Sequence, residues 1–406
     1  MPFALFILAL GAFAVGTDEY LVAGLLPNVA ADMGVPVGVA GQLVTLFGIT
    51  YAVGSPVLAL TTAHVDRKRL LLSAIVIFAL ANLAAVFVPT ARWLFVTRFV
   101  AALAASIYTP TAMATATQLL DPKRQGQAIA AIMAGITGAI VLGLPLGSWV
   151  GNLFGWRTAF AMVAAIGVIV TLLIAFVLPR ITPSDHVITW RERVNFLSQR
   201  NVLLALAISF VALVGANSVL TYIMPLLLRL TTFTAVALSL VLFASGVASV
   251  AGNLLGGLLS DRWGTRRLLV RVFTFMMLNA LCFSLLMLAT KSVLLDIVVV
   301  VAFVVWGLVG WLGAPALNSY LVSLAPQSAT VALSLNMTAL YLGIAGGGII
   351  GGLVLTIGSI AYLGVVVGVI EALALGLVLV SVSKVASVNQ QASDRGSAVL
   401  LQGNED

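Results

Sequence analysis

Long apolar segments recur along the whole chain, and they constrain the fold more than any other feature. Each segment is about 20 residues long, enough to cross a hydrocarbon core of about 30 Å. Such a span must satisfy its own backbone polar groups, so it is a helix or part of a closed barrel. The segments are continuous and rich in Leu, Ala, Val and Gly, which favours helices over the alternating strands of a barrel. The pattern predicts an all-α membrane protein with twelve transmembrane helices, at 3–26, 39–62, 70–89, 93–117, 127–151, 158–179, 202–227, 235–260, 268–290, 293–316, 330–355 and 359–383.

Composition excludes a soluble protein and several kinds of site. Of 406 residues, 62% are hydrophobic and 8% are charged, against about 25% charged residues in a soluble domain. The single cysteine, Cys282, lies in an apolar segment, which excludes a disulfide framework and a cysteine-based metal site. The chain has no Gly-x4-Gly-Lys-Ser/Thr phosphate loop, so we do not expect it to hydrolyse ATP. We expect no metal and no cofactor.

Lysine and arginine are unevenly divided between alternate loops. If the N-terminus is cytoplasmic, the loops and tail on that side hold fifteen basic residues and the opposite loops hold four. The positive-inside rule then predicts a multi-pass protein of a bacterial-type inner membrane with both termini cytoplasmic. The net charge of +7 is therefore a topology signal, and we expect a lipid bilayer rather than nucleic acid as the partner. The two sets are Arg67, Lys68, Arg69, Lys123, Arg124, Arg180, Arg191, Arg193, Arg200, Arg262, Arg266, Arg267, Arg271, Lys384 and Arg395, against Arg92, Arg157, Arg229 and Lys291.

The two halves of the chain resemble each other. The polar segment 60–68 after the second span matches 259–267 after the eighth, and a glycine row at 143, 147 and 151 recurs at 343, 347 and 351. Two repeated bundles with a binding site between them are typical of secondary transporters. We predict two pseudo-symmetric six-helix bundles, 1–180 and 202–383, a cytoplasmic linker 181–201, and a disordered cytoplasmic tail 384–406.

Several motifs resemble the major facilitator superfamily, and within it the bacterial twelve-span drug:proton antiporter family. Residues 257–267, Gly-Leu-Leu-Ser-Asp-Arg-Trp-Gly-Thr-Arg-Arg, are similar to the superfamily's loop signature Gly-x-Leu-Ala-Asp-Arg-x-Gly-Arg-Arg. Residues 143–147, Gly-Leu-Pro-Leu-Gly, with Gly155-Trp156-Arg157, resemble the proline-glycine signature of exporters. Residues 16–27 look like a subgroup of purine-efflux, sugar-efflux and chloramphenicol-resistance proteins. The likeness extends from Phe3 to about Ser383 and implies the major facilitator fold.

The resemblance also implies a set of conformational-switch residues. The first-half copy of the loop signature departs from the pattern, with Thr62 in place of the aspartate, so the implied lock is expected mainly from Asp261. The glycine rows are small-xxx-small patterns that let helices approach closely. They are either faces on which the halves slide, with Pro145 breaking a backbone hydrogen bond, or ordinary tight packing. The predicted switch set is Gly257, Asp261, Arg262, Gly264, Arg266, Gly143, Pro145 and Gly147.

Ionisable side chains inside apolar spans are the main functional signal in a membrane protein. Asp18 and Glu19 lie in the first span and Arg98 in the fourth, at similar depth. Adjacent helical residues point about 100° apart, so the two acids face different surroundings. The resemblance places the family's acid at Glu19. We predict Glu19 as the main proton carrier, Asp18 as the second and Arg98 as the partner that tunes them. The alternative is a static ion pair that only orders the bundle.

Two further acids lie inside predicted spans. Glu371 is near the middle of the twelfth span, where a functional and a structural interpretation are equally open. Asp296 is near the outer end of the tenth span, where a solvated helix end is expected.

A cargo site is expected between the halves near the membrane midplane. Polar and aromatic residues at suitable depth would suit flat, mostly neutral cargo such as a nucleobase or an aromatic drug. For any one of them, a hydrogen bond between helices is the competing interpretation. The candidates are Gln42, Tyr51, Tyr108, Asn217, Thr221, Tyr222, Trp311, Asn318, Asn336 and Tyr341.

The resemblance and these residues together predict a secondary active exporter. It would move small organic molecules, drug-like or purine base- and nucleoside-like, out of the cytoplasm in exchange for protons, by alternating access and as a monomer. The alternative is a proton-coupled importer or a facilitator with the same fold. A membrane enzyme or a receptor is the remote alternative, because no clustered acid, base or metal site is found.

Overall fold

Twelve apolar helices dominate the protein, as predicted. The computed structural model describes residues 2–121, 124–179, 196–197, 199–324 and 329–381. Twelve of its helices are long and apolar enough to cross a membrane. They are α1 Pro2–Met33, α2 Val37–Thr61, α3 Arg67–Phe87, α4 Ala91–Gln118, α5 Gln125–Phe154, α6 Trp156–Val177, α7 Arg200–Thr221, α8 Ala235–Trp263, α9 Thr265–Leu286, α10 Val293–Leu324, α11 Ala329–Ile357 and α12 Ile360–Ser381.

Parts of the prediction lie outside the described residues. The tail 384–406 does, and so does most of the linker 181–201. The basic residues outside are Lys123, Arg180, Arg191, Arg193, Lys384 and Arg395.

Several helices are longer than their apolar cores. α1 continues to Met33 rather than 26, and α10 to Leu324 rather than 316. A helix does not end where the hydrocarbon ends, because polar residues in its last turns find partners. In the last turns of α1, the side-chain amide of Asn28 donates a hydrogen bond to the amide oxygen of Asn152 on α5. The carboxylate of Asp32 accepts one from the indole of Trp156 on α6. The longer α1 places residues 18 and 19 at its centre, deeper than the shorter predicted span implied.

Two glycines allow consecutive helices to join almost without a loop. Gly155 separates α5 from α6 with φ of 96°, and Gly264 separates α8 from α9 with φ of 80°. These left-handed values favour glycine because it has no Cβ. Polar side chains begin other helices: Asp66 accepts a hydrogen bond from the amide of Arg69 at the start of α3.

The glycine rows pack within each half, taking α1–α6 as the first half and α7–α12 as the second. A Cβ on Gly143 or Gly147 would meet Thr17 or Leu21 of α1, and a Cβ on Gly347 would meet Asn217 of α7. In this conformation the glycines themselves make the tight packing within a half that was one of the two interpretations, while the segment Leu144–Phe154 that carries the first row also contacts α8 of the other half. Their role in sliding stays a prediction. On α11 the rotation of the helix turns the adjacent glycines Gly348 and Gly352 toward the opposite half, where a Cβ would meet Thr45 and Gln42.

The halves meet mainly toward one end of the bundle. Because consecutive spans are antiparallel, the loops after odd-numbered helices share one end, here called the Gly38 end, and the others share the Asp261 end. A Cβ on Gly38 would lie 2.8 Å from the carbonyl of Gly352, and one on Gly246 would lie 2.9 Å from the carbonyl of Ile140. Toward the Asp261 end, the segment Gln125–Gly138 of α5 packs on α1 and α4 of its own half.

Candidate functional site

A buried ion pair lies at the centre of the first half. Arg98 of α4 donates to a carboxylate oxygen of Asp18 at 2.5 Å and to the backbone carbonyl of the same residue at 3.2 Å. The two side chains are 1% and 0% exposed. Removing one partner would leave an uncompensated buried charge, so each residue requires the other.

Two aromatic rings complete the environment of Arg98. Its guanidinium carbon lies 4.8 Å from the ring centre of Phe47 on α2 and 5.8 Å from that of Phe160 on α6. Such cation–π contacts stabilise a desolvated guanidinium. Helices α1, α2, α4 and α6 therefore all contribute to holding one cation, and Arg98 is committed to Asp18.

Glu19 faces the opposite direction, toward the second half. Its Oε2 accepts a hydrogen bond from the hydroxyl of Tyr341 on α11 at 3.0 Å. Tyr341 also stacks on Tyr51 of α2, with ring centres 3.6 Å apart and planes inclined by 14°. Neither of the two salt bridges among the described residues includes Glu19. Its carboxyl is thus held by a neutral donor from the other half, while the adjacent acid has the cation.

A small cavity lies against Glu19 between the halves. Its volume is about 10 Å³, room for roughly one water molecule. Both halves contribute walls, and the predicted cargo residues Asn217 and Thr221 are among them. The lining residues are Glu19, Tyr20, Ala23, Val44, Asn217, Leu220, Thr221 and Ile344.

Two other cargo candidates bridge the halves as structural contacts. Gln42 donates to the carbonyl of Gly348, and the hydroxyl of Tyr222 donates to the same carbonyl at 2.9 Å. Tyr222 also donates to the carbonyl of Gly38. Gln42 and Tyr222, which we predicted to bind cargo, therefore donate their hydrogen bonds to backbone carbonyls of glycines instead.

Four cargo candidates lie away from the cavity between the halves. Tyr108 is fully buried in the first half, where its hydroxyl donates to the carbonyl of Leu8. Asn336 donates to Asn318 within the second half. Trp311 is half-buried on α10 and is absent from the cavity lining. Depth alone could not place these residues, because depth says nothing about which way a helix face points.

The predicted switch residue Pro145 follows a widened turn of α5. Residues Ala139–Gly143 form a π-helical turn directly before it. Pro145 has no amide hydrogen to donate, and a π turn accommodates the missing bond. The same turn contacts α1 of its own half and α8 of the other half. Pro145 thus lies at the contact between halves, since the turn before it and the helical segment Leu144–Phe154 that contains it both pack on α8.

The loop signature lies at the exposed end of α8. Gly264 has the positive φ, and Gly257 has open space around it. Arg262, Arg266 and Asp261 are exposed, and within the described part of the chain none of the three is in a salt bridge. The role of Asp261 as a lock therefore stays a prediction.

Sequence reasoning missed the glycines that touch across the halves. Gly41, Gly48, Gly246 and Gly348 each face a residue of the opposite half at less than van der Waals distance from a notional Cβ. Part of this pattern is visible in the sequence, because Gly348 and Gly352 are four residues apart, each one position after a glycine of the row 343, 347 and 351. Only the rotation of α11 distinguishes the two rows.

The two acids left open have contrasting environments. Asp296 is 3% exposed and accepts hydrogen bonds from the amide and the hydroxyl of Thr232, so the expectation of a solvated helix end is wrong. Its end of α10 is covered by the segment that follows α7. Glu371 is 1% exposed, and its Oε2 has no hydrogen-bond partner among the described residues.

A family model for the Major Facilitator Superfamily matches residues 8–348. This chain belongs to the major facilitator superfamily. The family resemblance read from the sequence is confirmed at that level, and so is the fold class.

Relatives within the major facilitator superfamily cover most of the chain. The transporter YbcL of Bacillus subtilis, uncharacterised, is 32% identical over 375 residues, 91% of this chain and 94% of that protein. A chloramphenicol resistance protein of Streptomyces lividans is 34% identical over 269 residues, 64% of this chain and 68% of that protein. A probable sugar efflux transporter of Mannheimia succiniciproducens is 27% identical over 387 residues, 94% and 95% of the two chains.

Solved major facilitator structures have the same fold. A bacterial homologue of the human lysosomal transporter Spinster, inward-facing and unoccupied, superposes with a TM-score of 0.72 at 16% identity and covers 94% of this chain and 96% of its own. The nucleoside transporter NupG superposes with a TM-score of 0.73 at 13% identity, covering 93% and 99%. At these identities the likeness concerns the fold alone.

Proposed function

We propose that this major facilitator is a proton-coupled exporter of small organic molecules. The observation that carries the proposal is the hydrogen bond from Tyr341 to Glu19, because it links a membrane-buried acid of one half to the other half beside a cavity. The protein would work as a monomer, without a cofactor, using the proton gradient as its energy source.

The orientation follows from the basic residues. With both termini cytoplasmic, the Gly38 end faces outward and the contacts between the halves close the outer side. In this state cargo would approach the site from the cytoplasm, and the cavity of about 10 Å³ would have to widen to admit it.

Glu19 would couple cargo to protons through its bond to Tyr341. An ionised carboxylate makes a stronger hydrogen bond than a neutral acid, so the deprotonated carrier keeps the halves together and the outer side closed. Cargo entering the cavity competes for Tyr341 and Glu19 and lets the outer side open. A proton arriving from outside then neutralises Glu19 and helps release the cargo. The neutral carrier can close again because burying a neutral acid is cheap compared with burying a charge. Glu19 would then give up its proton to the cytoplasm, which restores the ionised carrier and completes the exchange of one proton inward for cargo outward.

Arg98 would keep the second acid out of this cycle. Because Arg98 is bonded to Asp18 and enclosed by two rings, Asp18 stays paired while Glu19 gains and loses the proton. On this proposal Glu19 is the carrier, and Asp18, predicted from the sequence as a second carrier, serves with Arg98 as its fixed electrostatic background.

The residues around the cavity would suit cargo that is flat and mostly uncharged once the halves separate. The stacked rings of Tyr51 and Tyr341 can open to receive an aromatic ring, and Asn217 and Thr221 provide hydrogen-bonding groups. Drug-like molecules and purine bases or nucleosides fit this chemistry. The chloramphenicol resistance protein and the sugar efflux transporter among the relatives make chloramphenicol-like drugs and sugars the first comparison compounds.

Inside-out membrane vesicles test the proposal directly. With an imposed gradient, acidic inside, an exporter accumulates cargo in the vesicle, and collapsing the gradient stops accumulation. Cargo movement that only equilibrates would favour a facilitator, and loss of cargo against its gradient under the same conditions would favour an importer.

Glu19→Gln is the decisive variant, with Glu19→Asp as its matched control. The amide keeps the shape of the side chain and cannot exchange a proton, so we expect exchange of cargo between compartments to continue and gradient-driven accumulation to disappear. Undiminished uphill export by Glu19→Gln would overturn the role of Glu19.

A further inference from the structure

Glu371 is a second membrane-buried acid that the proposed cycle does not use. It is the twelfth of the 22 residues of Ile360–Ser381 and therefore lies near mid-membrane. The side chain is 1% exposed, and its Oε2 is without a hydrogen-bond partner among the described residues. An ionised carboxylate in that position would carry a large desolvation penalty.

The carboxyl of Glu371 lies directly against the backbone of α7. A Cβ placed on Gly215 would be 2.5 Å from Oε1 and 3.1 Å from the carboxyl carbon of Glu371. A larger residue at position 215 would have to push the carboxyl of Glu371 out of its present place. The helix it touches also carries Asn217 and Thr221, which line the cavity between the halves.

No cation among the described residues reaches this carboxyl. α7 carries a single charged residue, Arg200, fifteen residues before Gly215 or roughly 22 Å along the axis. α9, which packs on α12 at Gly364 and Gly368, has its charged residues in its first two turns and Cys282 as its other titratable group. The charged residues of α9 are Arg266, Arg267 and Arg271.

The nearest of these cations is already engaged. The guanidinium carbon of Arg271 lies 4.4 Å from the ring centre of Trp263 at the end of α8. The other titratable side chain of α12, Tyr362, is 61% exposed at the opposite end of that helix. A buried carboxyl with neither a counter-ion nor a hydrogen-bond donor is stable only with its proton bound; among the described residues Glu371 differs in this from Glu19, which accepts a hydrogen bond from Tyr341.

We propose that Glu371 is a second proton-binding site, located in the second half and separated from the cavity by α7. It holds a proton in the conformation described here. A movement of α7 that admits water or a cation to Glu371 releases that proton. The site stands independently of the role proposed for Glu19, because it is defined by its own burial and contacts.

A hydrophobic carbodiimide tests the proton directly in the wild-type protein. This reagent forms a stable adduct with a carboxylic acid and not with a carboxylate. We expect mass spectrometry of peptides from protein labelled with dicyclohexylcarbodiimide to find the adduct at Glu371, falling as the pH is raised. Asp296 is the matched internal control, since its carboxylate accepts two hydrogen bonds from Thr232 and should remain unlabelled.

Thermal unfolding in detergent supplies a second readout that needs neither transport nor the reagent. An acid that is protonated when folded and ionised when unfolded loses stability as the pH rises, by up to about tenfold in the folding equilibrium per pH unit. We expect the wild type to lose stability relative to Glu371→Gln as the pH rises, because glutamine does not titrate. Parallel curves for the two proteins would overturn the proposal, whether or not the reagent reaches the site.

The contact with α7 has its own test. Introduced into the wild type, Gly215→Ala should displace the carboxyl and lower the melting temperature. Introduced into Glu371→Ala, where the conflicting side chain is absent, it should lower the melting temperature much less. Equal losses in the two backgrounds would remove Glu371 from the α7 contact and overturn its placement there.

Discussion

The hydroxyl of Tyr341 donates a hydrogen bond to Glu19 at 3.0 Å, across the contact between the two halves of the protein. The two residues are 322 positions apart in the chain. The bond joins the acid of α1 to the ring that stacks on Tyr51 of α2. Protonation of Glu19 would therefore alter the same contact that breaks when the halves separate.

Tyr341→Phe should weaken coupling while leaving the fold intact. The phenyl ring can keep the stack on Tyr51, while the hydroxyl that donates to Glu19 is lost. We expect gradient-driven accumulation of cargo to fall at least severalfold, with the amount of folded protein in the membrane unchanged. Tyr362→Phe is the control, because Tyr362 is exposed at the start of α12. Equal transport by both variants would separate Tyr341 from coupling.

Arg98→Met should destabilise the protein strongly. It leaves Asp18 buried without its cation, a change that costs about 3–5 kcal/mol when one partner of a buried ion pair is removed. We expect a large drop in the melting temperature in detergent. The double variant Asp18→Asn with Arg98→Met removes the uncompensated charge and should recover much of the loss. No recovery would show that the ring contacts of Arg98, not the ion pair, hold the bundle.

Two glycines of α8 should respond differently to alanine. A Cβ on Gly252 would lie 2.0 Å from the carbonyl of Leu308 within the second half, whereas one on Gly246 would lie 2.9 Å from the carbonyl of Ile140 in the first half. Overpacking costs about 1–3 kcal/mol. Gly252→Ala should therefore reduce folded protein, and Gly246→Ala should mainly change transport rate by disfavouring the closed contact between halves.

The control for this pair is Gly376→Ala on α12, where a Cβ meets nothing within 4 Å. The measurements are folded protein by size-exclusion fluorescence and transport per folded molecule. If Gly246→Ala lost folded protein as Gly252→Ala does, the contact between halves would be a folding contact rather than one that opens.

A cross-link at the Gly38 end should arrest transport. A Cβ on Gly38 would lie 2.8 Å from the hydroxyl oxygen of Thr356 on α11, so cysteines at both positions fall within disulfide range. In a background with Cys282→Ser, oxidation should form the disulfide and stop transport, and reduction should restore it. Full transport by the cross-linked protein would mean that this end does not need to open.

The lipid-spanning character and the helix count could be predicted because they depend on local chemistry. Twenty apolar residues must form a helix in hydrocarbon whatever surrounds them. Helix ends were less predictable, as α1 shows. Its last turns contain Asn28 and Asp32, which look like a loop until Asn152 and Trp156 of other helices bond to them.

The sequence predicted how deep the site residues lie in the membrane, but not which way their side chains point. Asp18, Glu19 and Arg98 were recognisable as ionisable residues in apolar spans, and neighbours on a helix must face different surroundings. Which of them meets Arg98 depends on how α1 is rotated in the bundle. Tyr108 shows the same limit, since its depth suited a cargo site and its hydroxyl bonds to α1 instead.

The sequence by itself determined that this protein spans a membrane with twelve helices, and its motifs indicated the family. The length of an apolar segment and the identity of its residues are properties of that segment alone, so both can be read without knowing which helices pack against it. Only the tertiary structure decided that Arg98 pairs with Asp18, that Glu19 reaches Tyr341, and that Glu371 meets no cation among the residues the structure describes. Those facts depend on the rotation of packed helices about their own axes, which is set by many side-chain contacts at once.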